Sequence, residues 1–520
     1  MDAIKHDLVA TGRELIETHA SWVFLGEGDV YKVKRPVYLG FLDFRTLSQR
    51  KAACEAELEL NRRLAPDVYL GLVPVTRDAG GRHRFGGPGE PVDWAVHMVR
   101  LPEEARADRR LAADSLAPAA LDRVASHLVV FHADARVDEE TAAFGTPASI
   151  ATNVRENFEQ TRANITRYLT RAEADEIEAH QLGFLDRNTE LFERRRARRR
   201  VRDGHGDLRL EHVYLTGDGP PTIIDCIEFN ERFRYADVCA DIAFLSMDLA
   251  WHNRTDLAER FLATYAREAN DYELYRLVDF YEGYRAYVRG KVASMLASDV
   301  SVALEARRRA GREARRYYLL ALATKRRSLL PPALVAVGGA IASGKSTIAE
   351  RLANEMAAPV VDTDRARKYL LGVAPTTPVH EPAWTGAYSP IATDLVYKEV
   401  LHRARAVLDS GRPAVLDGSF RSRAHRAAAC RLAEEAGVPF VFVECRAPVP
   451  LLRQRLEERS ARPGVSDGRL EILDDFVARW EPVDELPPAA HIVLDTSLPI
   501  AESLSRLTRS LAAWPPGLTG

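Results

Sequence analysis

The sequence is poor in the features that would tie it to an oxidising compartment, a membrane or nucleic acid. Cysteine is scarce: five in 520 residues (Cys54, Cys226, Cys239, Cys430, Cys445), an odd number with no CxxC spacing. That argues against a disulfide framework and a zinc site, and for a reduced, cytoplasmic compartment. No run of about 18 apolar residues is free of charge. The longest candidate, LLPPALVAVGGAIASG, is broken by prolines and glycines, so no membrane span is expected. The opening MDAIKHDLVATGREL has no apolar core of the signal-peptide kind. Net charge is -3, which points neither to nucleic acid nor to an anionic surface. Internal repeats and long low-complexity tracts are absent.

What remains is a soluble, globular composition, 46% hydrophobic and 28% charged, at a length that implies roughly two to four domains. The boundary falls at TKRRSLLPP, 324–332, where a helical region ends and two prolines precede a new strand. Upstream, residues 21–35 read as two strands around a glycine turn, and LSQRKAACEAELELNRRLA has helical spacing. VYLGLVPVTRD and PVDWAVHMVRL add strands. Beyond about residue 112 the pattern is mostly helical, interrupted by HGDLRLEHVYL and TIIDCIEF. This predicts a small β-rich lobe (about 1–111), a helical lobe (about 112–325), a linker at 326–332 and a further domain at 333–520. In that domain ALVAV, APVVD, PAVLD, FVFVE and HIVLD alternate with helical stretches. Such alternation predicts a parallel sheet with helices on both faces, its ligand at the carboxyl ends where the acidic residues stand.

The motif Gly339-x4-Gly344-Lys345-Ser346, with Ser343 inside it and Thr347 after it, follows the apolar strand and opens a helix-competent stretch. This is the P-loop pattern. Glycines let backbone N–H groups wrap phosphates, the helix N-terminus adds positive potential, Lys345 reaches the outer phosphates and Ser346 can ligate Mg²⁺. VVDTDRARK then places Asp362 and Asp364 at the end of the second strand, PAVLDGSFRSRAHR places Asp417 at the end of the third, and LLRQRLEERSARPGVSD supplies Arg453, Arg455, Arg459 and Arg462. Asp362 is equally readable as a helix cap, and Arg455 and Arg462 as solvated surface. The acidic residues and the arginine-rich late helix resemble the P-loop small-molecule kinases: gluconate and shikimate kinases, chloramphenicol phosphotransferase and the zeta-toxin type. That resemblance implies Asp364 as base, Arg367 or Arg423 holding the acceptor, Arg453 and Arg459 in the lid, and Asp417 serving Mg²⁺ through water. A motor ATPase is the rival class, but no sensor or oligomerisation segment is evident.

HGDLRLEHVYL, followed by TIIDCIEF, resembles the catalytic loop and metal-binding strand of aminoglycoside phosphotransferases and their kinase-like relatives. His205, Gly206 and Asp207 match HGDxxxxN, and Asp225 lies 18 residues past Asp207. The resemblance implies that Asp207 orients or deprotonates the acceptor hydroxyl and that Asp225 holds Mg²⁺. His212 departs from the pattern, standing where the family has a metal-binding Asn; imidazole is a poor Mg²⁺ ligand, and Glu211 or Glu228 would have to compensate. A kinase-like site also needs a strand lysine paired with a helix glutamate. Lys32 and Lys34 share one strand face, while Glu55, Glu57 and Glu59 are open alternatives; Lys34 with Glu57 is favoured. GEGD at 26–29 is a candidate phosphate-covering turn. By resemblance Asp237 and Asp241 stabilise the helical lobe. Arg285 and Arg289, four apart on one helix face, read either as a solvated face or as a grip for an anion. The run RRRARRRVR, 194–202, reads by default as a solvated helix end, and no aromatic platform is interleaved for nucleic acid.

Together the halves resemble a bacterial two-domain family in which a bilobal, kinase-like aminoglycoside phosphotransferase domain is fused to a P-loop kinase domain. The expected function is an ATP- and Mg²⁺-dependent phosphotransferase acting on a small hydroxylated compound, without nucleic-acid or membrane partners. The alternatives are an active P-loop domain joined to a ligand-sensing pseudokinase, which His212 favours, and a toxin-like kinase of a cell-wall precursor.

Overall fold

The computed structural model describes residues 2–18, 20–38, 42–323, 332–379, 381–459 and 465–510. It separates into two compact units: residues 1–253 with 280–324, and residues 254–279 with 325–520. No helix among the described residues is long and apolar enough to cross a membrane.

The first unit opens with an antiparallel sheet of β1 (Glu14–Glu17), β2 (Ser21–Leu25), β3 (Asp29–Lys34), β4 (Tyr69–Arg77), β5 (His83–Phe85) and β6 (Glu90–Val99), ordered β1-β2-β3-β6-β4-β5. Strand alternation gives β3 two characters. Val33 joins Trp22, Phe24, Val75 and Ala95 in a core on one face. Val30 packs with Cys54, Val96 and Met98 on the other, and Lys32 and Lys34 share that face by their two-residue period. The helix Leu47–Asn61 lies on that second face, started by a capping box between Thr46 and Gln49. The rest of the unit is helical, apart from β7 (Val201–Asp203), β8 (Val213–Tyr214), β9 (Thr222–Ile223) and β10 (Tyr235–Asp237), which pair β10 with β7 and β8 with β9. This is the bilobal, kinase-like arrangement.

The second unit is built on a fully parallel sheet of β11 (Leu334–Gly339), β12 (Val360–Asp362), β13 (Ala414–Asp417), β14 (Phe440–Arg446) and β15 (His491–Asp495), ordered β12-β13-β11-β14-β15. Every residue of β11 is buried, as expected of a central strand covered on both faces. Val335, Val337, Ile348, Leu352, Val415 and Val443 form one of its cores.

Residues 254–279, which the sequence pattern runs into the helical lobe, cluster instead with this sheet. Their polar chemistry explains it. Arg412, 1% exposed at its side chain, is held by Glu259 at 2.8 Å and by Asp279 at 2.8 Å. Tyr272 donates its hydroxyl to the Val360 carbonyl at 2.6 Å, and Arg365 reaches Glu268 at 3.1 Å. A guanidinium buried this far requires carboxylates beside it. The linker expected at 326–332 lies outside the described residues except for Pro332. Arg412→Ala removes the cation facing Glu259 and is expected to destabilise the second unit by about 3–5 kcal/mol. Urea unfolding followed by tryptophan fluorescence, with Arg405→Ala as an exposed control, measures this; equal midpoints for the two variants would contradict it.

Candidate active sites

In the first unit the loop after β7 is shaped by a carboxylate beneath it. Asp241 accepts hydrogen bonds from the backbone N–H groups of His205 (2.6 Å) and Gly206 (2.8 Å). Gly206 has φ 84°, and a Cβ on Gly204 would come within 2.2 Å of the Asp241 carboxylate. His205 is fully buried, and burial pulls its pKa down to about 4, so it is neutral. Its Nδ1 lies 3.2 Å from the Asp207 N–H, which donates to it, while Nε2 faces the Ile224 carbonyl at 3.0 Å. Asp237 caps the helix Val238–Trp251 and pairs with Arg195 at 2.8 and 2.7 Å. Arg195 is 1% exposed, so the arginine run is in part a structural anchor and not a solvated helix end throughout.

This scaffold presents Asp207. Arg209 grips both its oxygens, at 3.0 and 2.9 Å. Desolvation alone would raise the Asp207 pKa, but Arg209 and His212 outweigh it and hold the carboxyl well below the usual range. Asp225 has φ 66°, a left-handed turn directly after β9 and Ile224. Its backbone N–H donates to the Tyr69 hydroxyl at 3.3 Å, and the next N–H, of Cys226, donates to Asn61 at 2.8 Å. Lys32 and His212 overcome desolvation here too and keep the Asp225 carboxyl ionised.

Glu57 is the helix glutamate that the lysines use. Lys34 lies 2.6 Å and Lys32 2.8 Å from it. The favoured pair, Lys34 with Glu57, is thus brought together, but Lys34 is also bound by Glu228 and is only 2% exposed. Lys32 is the lysine that continues to Asp225, at 2.6 Å. His212 donates from Nδ1 to the Asp207 carbonyl at 2.7 Å, and its Nε2 stands 3.6 Å from Asp225. Neither proposed substitute for an Asn ligand is placed for that role: Glu228 is engaged by Lys34, and Glu211 by Arg209.

In the second unit the P-loop joins β11 to the helix Lys345–Met356. Gly339 has φ 149°, and a Cβ there would meet the Cys445 carbonyl and the Ser343 hydroxyl at 2.5 Å; Gly344 has φ 82°. The turn is closed from behind by two residues the motif does not contain. Thr496 donates to the Ser343 carbonyl at 2.6 Å, and Arg455 donates to the carbonyls of Ala342 (3.3 Å) and Thr496 (2.6 Å). Thr347 is exposed on the helix.

Asp362 and Asp417 face each other in register at the carboxyl ends of β12 and β13. Asp362 caps the helix Thr363–Leu370 by accepting from the Arg365 N–H at 2.6 Å. Burial, with Asp417 and Asp364 nearby, pushes its pKa up to about 7. Burial raises Asp417 to about 6 against the pull of Lys345 and Ser346. One Asp417 oxygen is buried with no hydrogen-bond partner in the described structure. A buried carboxylate oxygen without a donor, on a residue beside the Ser346 hydroxyl, fits a Mg²⁺ site of water-mediated type.

A cavity opens beside these groups. Lys345, Ser346, Asp362, Asp364, Arg367 and Asp417 all line it. Arg367 lies over the Tyr388 ring at 4.4 Å and donates to the Ala387 carbonyl. Arg423 does not line the cavity; it is exposed and bound by Asp484. Arg421, two residues earlier, lines it and lies over Trp384 at 4.5 Å. Arg453 is turned outward to Asp474, at 2.5 Å. Arg459 ends the helix Val449–Arg459, but its side chain, like Arg462, lies outside the described residues. Thr496 and Arg421 were within reach of sequence reasoning, since one follows HIVLD and the other follows PAVLD, both at strand carboxyl ends.

Residues 31–281 match the family described as "Phosphotransferase enzyme family", and residues 334–483 match "AAA domain". The uncharacterized proteins Rv2004c of Mycobacterium tuberculosis and Mb2027c of Mycobacterium bovis are each 34% identical over 463 residues, covering 89% of this chain and 89% of theirs. Among solved structures, a gluconokinase from Sinorhizobium meliloti has 21% identity over 37% of this chain and 93% of its own, with a TM-score of 0.25. A sugar kinase from Janibacter has 21% identity over 36% and 99%, with a TM-score of 0.28.

Asp362 carries a pH prediction. Its folded pKa of about 7 exceeds its ordinary 3.8, so between those values the folded state binds more protons than the unfolded one. The stability it contributes is complete below about pH 4 and is lost as pH rises to about 7. Asp362→Asn keeps a capping oxygen and should flatten that part of the profile. Urea midpoints at pH 5 and pH 7.5 measure it; an unchanged difference in the variant would be the contrary result.

Proposed function

The chain belongs to a two-domain family that joins a phosphotransferase-family domain to a P-loop domain, and from that premise we propose an ATP- and Mg²⁺-dependent phosphotransferase acting on a hydroxyl of a small molecule, with two potential ATP-using centres. The observation that carries this reading is a shared one. Each unit gathers a lysine for phosphates, a carboxylate for a metal ion and a second carboxylate for a hydroxyl: Lys32, Asp225 and Asp207, the two aspartates on either side of His212, in one, and Lys345, Asp417 and Asp364 in the other.

Phosphoryl transfer asks a protein mainly for position and charge. In the first centre Glu57 holds Lys32 toward Asp225, and Asp207, kept ionised by Arg209, accepts the hydrogen bond of the acceptor hydroxyl. In the second, the P-loop amides and Lys345 hold the phosphates, Asp364 meets the acceptor hydroxyl, and Arg367 with Arg421 holds the acceptor. Ser346 and Asp417 would hold Mg²⁺ there, and Asp225 in the first centre; bound, the ion neutralises charge on the transferred group.

A second reading keeps chemistry in the P-loop unit alone and makes the first unit a nucleotide or ligand sensor. His212 favours it, because an imidazole 3.6 Å from Asp225 occupies the position of an oxygen ligand. Calorimetric titration of the full chain with a non-hydrolysable ATP analogue and Mg²⁺ separates the readings. Two sites, falling to one in Lys345→Ala, are expected; one site, lost in that variant, selects the sensor. With an acceptor in hand, Asp207→Asn is expected to lower turnover at the first centre by about 10²–10⁴-fold. Unchanged turnover would remove Asp207 from the reaction.

A further inference from the structure

The cavity beside Asp207 has a charge that the motifs do not announce. It encloses about 430 Å³ within the first unit, the size of a small-molecule site. Four cations line it: Arg232, Arg285, Arg289 and Lys291. Glu156 answers Arg232 with two bonds, of 2.7 and 2.6 Å. Asp299, the remaining acidic residue of the wall besides Asp207, accepts from Ser301 at 2.9 and 2.7 Å. Asp207 has its own cation in Arg209, which is not part of the cavity wall.

No carboxylate lies within ion-pair distance of Arg285, Arg289 or Lys291 among the described residues; Asp241 acts on Arg285, and Asp207, Glu211 and Asp248 on Arg289, only from further away. Arg285 is 5% exposed; it donates to the Ala240 carbonyl at 3.2 Å and lies over Phe244 at 4.7 Å. Arg289 lies 5.7 Å from the Tyr317 ring, and its Nε is buried without a hydrogen-bond partner in the described structure. The Lys291 ammonium donates to two neutral amides, Asn157 at 2.6 Å and Gln160 at 2.9 Å. Burial pulls the Lys291 pKa down to about 8, and Glu156 offsets that only in part. Partly buried cations answered by rings, carbonyls and amides form a binding site for an anion. A polycationic acceptor would meet like charge in the same place.

We propose that the first centre phosphorylates an anionic hydroxyl compound: a small molecule whose carboxylate or phosphate group sits on Arg285, Arg289 and Lys291 while its hydroxyl meets Asp207. This rests on the reading of Asp207 as the acceptor-facing carboxylate. In the transfer the acceptor oxygen bonds to the γ-phosphorus of ATP, the bond from that phosphorus to the β,γ-bridging oxygen breaks, and ADP leaves. The hydroxyl proton passes to Asp207 and on to water.

The test uses the full chain carrying Lys345→Ala, which disables the P-loop. Inorganic phosphate, a probe that presents anionic oxygens as both acceptor types do, is titrated by ³¹P NMR with the ATP analogue and Mg²⁺ present, and analogue binding is measured separately by calorimetry. Phosphate is expected to bind, and to bind at least about tenfold more weakly after Arg289→Gln or Lys291→Gln, with Arg289→Lys keeping most of the affinity. Arg289 and Lys291 are only partly buried, so these variants are chosen over Arg285; thermal melts verify folding. No phosphate binding, equal binding in all variants, or tighter binding of the diamine putrescine would overturn the anionic acceptor. Loss of analogue binding with Arg289-dependent phosphate binding intact would instead overturn the kinase reading of this unit and leave the anion site standing.

Discussion

Burial of the Lys34 ammonium between two carboxylates organises the first unit around Glu57. Lys34 is 2% exposed, and Glu57 and Glu228 are what make its burial tolerable. Glu57 must therefore face inward from the helix Leu47–Asn61. Because Lys32 shares the strand face, the same carboxylate draws it in and leaves its ammonium on Asp225. One glutamate thus fixes the rotation of a helix, the facing of a strand and the placing of a loop 168 residues away in sequence. Arg412 imposes the same requirement on the second unit and recruits residues 254–279 to it.

The two centres reach a similar composition with opposite electrostatics. In the first, Asp207 and Asp225 each lie against a cation and are held ionised. In the second, Asp362 and Asp417 face each other across adjacent strand ends and are pushed up to about 7 and about 6. Burial is the main cause for both, and Asp364 adds like charge to each. The carboxylates of the first centre are therefore ionised, while those of the second take up protons near neutral pH. The two loops are also built differently: side chains crowd the first, while the second is a glycine-shaped backbone turn.

Much of this was legible from the chain. The P-loop could be read because its glycines are required by backbone geometry, which spacing alone records. The βα alternation and the acidic strand ends placed Asp362, Asp364 and Asp417 together. HGD with a later strand aspartate marked Asp207 and Asp225. The choice between Lys32 and Lys34 was not legible, because period two puts both on one face and only the depth of the helix against the sheet separates them. Arg423 and Arg453 looked like ligand-holding arginines by position, yet each is claimed by a nearby surface carboxylate, Asp484 and Asp474. Arg455 looked like surface and instead braces the P-loop.

The sequence by itself determined the two nucleotide-type motifs, the parallel sheet and the antiparallel small lobe, since these depend on local backbone needs and on periodicity. Tertiary structure alone decided the membership of residues 254–279 and which reading of Arg285 and Arg289 holds, by setting them with Lys291 in the wall beside Asp207. It also decided that His212 would stand against Asp225. Those features depend on which distant charges meet in the interior. The pairing of distant charges has no period along the chain; it arises only when folding strips their water and leaves each charge to find its partner in space.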